Sequence, residues 1–191
     1  MTNKEEFLEI CSCIKRDGIN DLLEWLEKSD FYMAPASTKF HGNYAGGLLA
    51  HSLNVYRALK DLVQLHKLSV SEETIAIVAL FHDTAKVNLY QKGVRNVKNV
   101  ETGKWETVEA YHIEEKFPCG DHADKSIIIL QNFIKLKSDE IMAIAAHMGG
   151  WTSSVKGGSQ FVSKIFEKSP LAVLLHLADM TATYLYEGQQ N

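Results

Sequence analysis

The stretch Thr74-Ile75-Ala76-Ile77-Val78-Ala79-Leu80-Phe81-His82-Asp83 is apolar around its whole circumference until it ends on an imidazole and a carboxylate. Ile75, Val78, Ala79 and His82 share one face, so the run reads as a helix buried in a protein interior. Ser71, or Ser69 just before it, supplies the oxygen that caps its first turn. The same character returns in Pro170-Leu171-Ala172-Val173-Leu174-Leu175-His176-Leu177-Ala178-Asp179, a second helix apolar nearly all round that also carries an acid. A carboxylate in such a setting costs several kcal/mol unless positive charge lies against it. The arginines, Arg16, Arg57 and Arg95, fall outside the segments that read as buried, which leaves lysine or a metal ion to compensate the acids.

Working outward, apolar spacing of three and four residues gives an almost continuous series of helices. Thr2 with Glu5 forms a capping-box pattern opening a helix to about Arg16, and Asp17-Gly18 ends it. A short helix follows from Asp21 to about Lys28, and residues 30 to 42 read as an ordered loop. A long helix then runs from about Asn43 to His66 with Leu48, Val55, Leu59 and Leu62 in one stripe. From Gly93 to Ile113 the pattern changes to alternation, Val94 to Val100 and Trp105 to Tyr111, which reads as a β-hairpin. Helices resume at Asp121 to Leu136, Ser138 to Met148, Ser159 to Lys168 and Ser169 to Glu187, leaving Gly188 to Asn191 as a frayed tail. The expected fold is all-α, a bundle of about seven to eight helices with one inserted hairpin, in a single domain over residues 1–191.

Bulk composition narrows the function without naming it. At 46% hydrophobic and 23% charged the chain looks globular. No apolar run approaches the roughly 20 residues of a membrane span, and the polar start, Met1-Thr2-Asn3-Lys4-Glu5-Glu6, reads as a cytoplasmic protein. The net charge of −4 argues against a long nucleic-acid track but leaves room for a small anionic ligand in a local basic pocket. The three cysteines lack the paired spacing of a thiolate zinc site, and disulfides are not expected. The eight histidines carry more information. His51 lies in the buried stripe between Leu48 and Val55; taken alone it reads as a hydrogen-bonded core residue, but Asp83 and Asp179 need the charge that a histidine-bound metal supplies.

His51, the doublet His82-Asp83 and the late Asp179 resemble the H…HD…D signature of the HD-domain metal-dependent phosphohydrolases, over about residues 36 to 187. His82-Asp83-Thr84-Ala85-Lys86 is similar to the family's HDxxK element, which implies that Lys86 reaches a phosphate. Gly46-Gly47-Leu48-Leu49-Ala50-His51 resembles the GGLLEH segment of the exoribonuclease-like branch, with Ala50 where an acid is common. The resemblance implies His51, His82, Asp83 and Asp179 as metal ligands, with His122 and His147 matching the extra ligands of two-metal branches.

One or two divalent ions are therefore expected, and histidine with carboxylate suits iron, manganese, zinc or nickel better than calcium. Asp83 and Lys86 are the expected catalytic residues, the first bridging two ions and the second stabilising charge on the phosphate, while a water activated by the metal attacks phosphorus. Lys39, His41, Lys86, Arg95 on the hairpin and Lys156 are candidates to surround the substrate's phosphate. The other histidines read as structural or rim (His112), solvated (His66) and either core or support behind Asp179 (His176). The substrate expected is a small phosphorylated molecule, a nucleotide first; short oligonucleotide ends or a cyclic (di)nucleotide keep the same chemistry, and a non-catalytic binding module is the alternative from another class. A homo-oligomer is compatible with all three.

Overall fold

The structure, a computed structural model, describes residues 1–188. Nine α-helices occur among them: α1 (Asn3–Cys11), α2 (Ile19–Glu27), α3 (Gly47–Leu65), α4 (Glu72–Phe81), α5 (His122–Gln131), α6 (Ser138–Ala146), α7 (Ser153–Lys156), α8 (Phe161–Lys168) and α9 (Pro170–Thr181). Between α4 and α5 the strands β1 (Tyr90–Lys98) and β2 (Trp105–Ile113) pair antiparallel, Tyr90 opposite Ile113 and Lys98 opposite Trp105. The helical fold with an inserted hairpin is thus as the sequence implies. Of the tail expected to fray, the residues beyond Gly188 lie outside the described part.

Helix α4 is the hub. Every residue from Thr74 to Phe81 is buried, and the helix packs against α1, α3 and α6, while α9 lies across α3 and α6. Ser71 caps it by accepting from the Thr74 amide at 3.2 Å. Phe7 of α1 meets Phe31 and Phe81 within the same apolar cluster. No helix among the described residues is long and apolar enough to cross a membrane.

Several boundaries differ from the sequence reading, each for a tertiary reason. Helix α1 stops at Cys11 rather than near Arg16, because the chain turns there to deliver Lys15 and Arg16 to two carboxylates. The Lys15 amide donates to Glu73 Oε1 at 2.9 Å, and Arg16 donates to Glu140 Oε2 at 2.6 Å and to Glu73 Oε2 at 3.0 Å. Glu140 is fully buried, and Thr74 Oγ1 also donates to it at 2.9 Å. Arg16, which the sequence reading set outside the buried segments, therefore compensates a buried acid, but Glu140 rather than Asp83 or Asp179.

The long helix begins at Gly47, not Asn43. Gly46 takes φ 85°, and a Cβ on Gly47 would stand 2.0 Å from the Gly42 carbonyl oxygen, so the 37–46 segment folds tightly onto the helix start. Helix α5 ends at Gln131, whose side chain accepts from the Leu136 amide at 3.0 Å and closes the turn. The single helix expected to reach Glu187 changes instead at Ala182 into a π-helical turn through Tyr186, a form common at functional sites.

Candidate metal centre

Two buried histidines are fixed by the same device. His82 and His147 sit at the C-terminal ends of α4 and α6, where helical carbonyls lack amide partners. His82 Nδ1–H donates to the Ala79 carbonyl at 2.9 Å, and His147 Nδ1–H donates to the Ile144 carbonyl at 2.7 Å. Each bond places a ring proton on Nδ1 and turns Nε2 inward. The position of His147 is fixed in turn from behind: His176 Nδ1–H donates to the His147 carbonyl at 2.6 Å. His176 thus supports His147; the sequence reading placed it in the core or behind Asp179.

Past His82 the chain tightens into a 3₁₀ turn over Thr84–Lys86. In such a turn side chains three residues apart eclipse one another, which brings Lys86 Nζ to 2.7 Å from Asp83 Oδ2. The spacing of the HDxxK element is therefore a geometric requirement of this pairing. Ser126 of α5 accepts from the Ala85 amide at 3.0 Å and holds the turn in place.

Around Asp83 the ligand-type atoms converge from five elements. Its Oδ1 lies 3.3 Å from His122 Nε2 and 3.7 Å from His147 Nε2, and its Oδ2 lies 3.3 Å from His82 Nε2 and 3.7 Å from His51 Nε2. His51 Nε2 is also 3.2 Å from Asp179 Oδ1, and the Nε2 atoms of His122 and His147 are 3.2 Å apart. Two compact triads share Asp83: His51 with His82, and His122 with His147; His82, His147 and Asp179 form a third.

The acids of this cluster lean on Lys86 and on the imidazoles for positive charge. Burial pushes the Asp83 carboxyl upward, yet the Lys86 ammonium and the surrounding imidazoles hold it well below the usual carboxylate range. Asp179 is likewise held down, against burial, by His51. Burial opposes a charged His51, but Asp179 and Glu187 outweigh it and push the ring up to about 9. These acids demand positive charge beside His51, a demand that a cation meets in place of the ring proton. His51 Nε2, His82 Nε2 and Asp83 Oδ1 are all buried without a hydrogen-bond partner among the described residues. Orphaned lone pairs facing one another in a dry interior are costly unless a cation joins them, so these residues fit a divalent metal.

The cluster floors a cavity of about 770 Å³. Lys39, His41, Lys86 and Lys156 all line it, together with Asp83, His122, His147 and Asp179. His41 stacks on His51 with ring centres 4.8 Å apart, and burial first, then His51 and Lys86, push its pKa down to about 4, so it is neutral near pH 7. Arg95 does not reach this cavity; it lines a neighbouring cleft against the hairpin. His112 bonds the Val94 carbonyl within the hairpin at 3.1 Å, and His66 is exposed at the end of α3.

Two contributions escaped the sequence reading. Glu187 accepts from His51 Nδ1–H at 3.1 Å and from Asn54 Nδ2 at 3.0 Å, so it orients the imidazole from its outer side. The available signal was an acid about two turns beyond Asp179; the π-helical turn that aims it has no local signature. Trp151 and Tyr184 form an aromatic wall, 61% and 59% exposed, and only folding brings them to the same cavity.

The family model described as HD domain matches residues 48–184. No curated protein and no solved structure shows significant similarity to the chain.

Proposed function

The chain belongs to the HD-domain family, which is generally one of metal-dependent phosphohydrolases, and from that premise we propose that it hydrolyses phosphoester bonds of a nucleotide or nucleotide-like substrate. The observation that carries this reading is the convergence of the Nε2 atoms of His51 and His82 on Asp83, which with Lys86 lines the cavity.

We assign His51, His82, Asp83 and Asp179 to one divalent ion, and His122, His147 and Asp83 to a second. Iron, manganese, zinc and nickel all suit this donor set. Ions bound there would supply Lewis acidity and activate water for attack on phosphorus. Lys86 keeps one hydrogen on Asp83 and has others free for a phosphate oxygen, so it screens charge that grows on the phosphoryl group. His41, neutral and without a hydrogen-bond partner at either nitrogen among the described residues, offers a donor to the substrate from the cavity wall. Lys39 and Lys156 hold anionic groups at the mouth. A nucleotide is favoured by the rim: Trp151 and Tyr184 line the cavity and stay largely exposed, so a base can pack against them, with Lys156 Nζ 5.7 Å from the Trp151 ring centre. Residues 1–191 are taken to act as one catalytic unit.

The test is a screen of metal-loaded protein against nucleoside mono- and triphosphates, short oligonucleotides and cyclic dinucleotides, with Asp83→Asn as control. Release of phosphate or nucleotide that Asp83→Asn abolishes supports the reading. Binding of nucleotides with no turnover under iron, manganese, zinc or nickel would instead make the chain a sensor module.

A further inference from the structure

Of the four histidines assigned to the two ions, three have Nδ1 committed to an outer partner: His51 to Glu187, His82 to the Ala79 carbonyl and His147 to the Ile144 carbonyl. His122 has no such partner among the described residues; its Nε2 lies 3.2 Å from His147 Nε2 and 3.3 Å from Asp83 Oδ1. With nothing on its outer side to orient the ring, the aim of Nε2 depends on where the backbone holds the residue. Asp121, next to it, sets that place. It is the N-cap of α5, and its carboxylate accepts from the Ser153 amide at 2.9 Å and from the Ser153 hydroxyl at 2.8 Å.

Ser153 belongs to a segment, residues 149–158, bounded by Gly149 at φ 54° and Gly158 at φ 92°. The segment begins two residues after His147 and carries Trp151 and Lys156 to the cavity. Thr152 is buried and Val155 packs in part on the core. Among the described residues, the two bonds to Asp121 are the only hydrogen bonds that join this segment to a distant part of the chain. Both histidines of the second triad are thereby fastened to one segment, His147 by the chain itself and His122 through Asp121 and Ser153.

We propose that Asp121 is a positioning residue for the second ion: gripped by Ser153 it seats His122, so that this ion and a ligand held by Trp151 and Lys156 favour each other's binding. The inference rests on the two-ion assignment and the nucleotide reading above. A ligand that orders residues 149–158 orders the Asp121–Ser153 pair with them, and by linkage the ion returns the same factor to the ligand. The first ion stands outside this coupling, because its histidines are oriented by Glu187 and by the Ala79 carbonyl.

The test uses Ser153→Pro. Ser153 is the first residue of α7, where a helix makes no use of the amide proton, and Thr152 before it already has the extended backbone, φ −64° and ψ 146°, that a following proline requires. The substitution removes both bonds to Asp121 and touches neither an ion ligand nor the cavity lining. Manganese is titrated into metal-free protein with the free ion followed by electron paramagnetic resonance, and the site that His122→Ala abolishes is the second. Ser153→Pro is expected to weaken that site about tenfold and to leave the first unchanged. Ser153→Ala, which keeps the amide bond, is expected to fall between Ser153→Pro and the wild type. Calorimetric binding of adenosine 5′-monophosphorothioate is then compared with one and with two ions bound. In the wild type the second ion is expected to tighten it about fivefold or more, and in Ser153→Pro by less. Contact between the phosphorothioate and the ion is common to both proteins, so the difference belongs to Asp121 and Ser153. A second site unchanged by Ser153→Pro, equal weakening of both sites, or an equal nucleotide gain in both proteins would overturn the inference. A wild type that binds one ion refutes the two-ion assignment instead, and the expected loss of the second ion with no nucleotide bound refutes the nucleotide reading while Asp121 keeps its role at the ion.

Discussion

Replacing Glu187 with alanine is expected to weaken metal binding about 10- to 100-fold while the helical fold persists. The reasoning starts at His51, whose Nε2 faces Asp83 and Asp179 and whose Nδ1 has Glu187 as its partner at 3.1 Å. For Nε2 to serve as a ligand, the ring proton must stay on Nδ1, and the carboxylate of Glu187 holds it there while making the ring more basic. Loss of such an outer partner corresponds to about 1.4 to 2.7 kcal/mol of binding. Among the described residues the fold loses one further side-chain bond, that from Asn54 to the charged carboxylate, about 1.5–3 kcal/mol. Competition with a chromophoric chelator gives the affinity, and circular dichroism gives the fold. Glu187→Gln keeps an acceptor for Nδ1–H without the charge and should recover part of the loss. An affinity unchanged by Glu187→Ala would refute the orienting role. Complete loss of metal in both variants would also refute it, by making Glu187 a direct ligand together with His41.

Three further outcomes follow from the same coordinates. Arg16→Ala strands the fully buried Glu140 and should destabilise the protein by about 3–5 kcal/mol in denaturant titration; a change below about 1 kcal/mol would mean that Lys137 and Thr74 suffice. His122→Ala removes a ligand from one triad only, so elemental analysis should fall from two ions per chain to one, whereas Asp83→Asn, which touches both, should leave none. In Gly149→Ala the new methyl group would stand 2.5 Å from His176 Cε1 at a backbone φ of 54°. A loss of about 1–3 kcal/mol is expected there, with weaker metal binding because His176 braces His147.

How much of this was legible in the chain depends on whether a signal was local. Helix α4 could be read because burial on every side demands an uninterrupted apolar run, and Ser71 marks its start with a side-chain oxygen. The HDxxK spacing was legible because a 3₁₀ turn ties Asp83 to Lys86 within a few residues. Helix ends were less so: α1 stops early because carboxylates on α4 and α6 draw Lys15 and Arg16 away, and nothing near Cys11 announces it.

The amino-acid sequence by itself determined the helical architecture, the inserted hairpin and the family, since these rest on periodicity and short-range spacing that any one segment carries. It also marked which acids and imidazoles had to be buried together. Only the tertiary structure decided that Arg16 belongs to Glu140, that Glu187 stands behind His51, and that Arg95 faces a cleft of its own. Those pairings join residues far apart along the chain. Coulomb attraction and desolvation act on distance in space, and packing of α3, α4, α6 and α9 sets that distance.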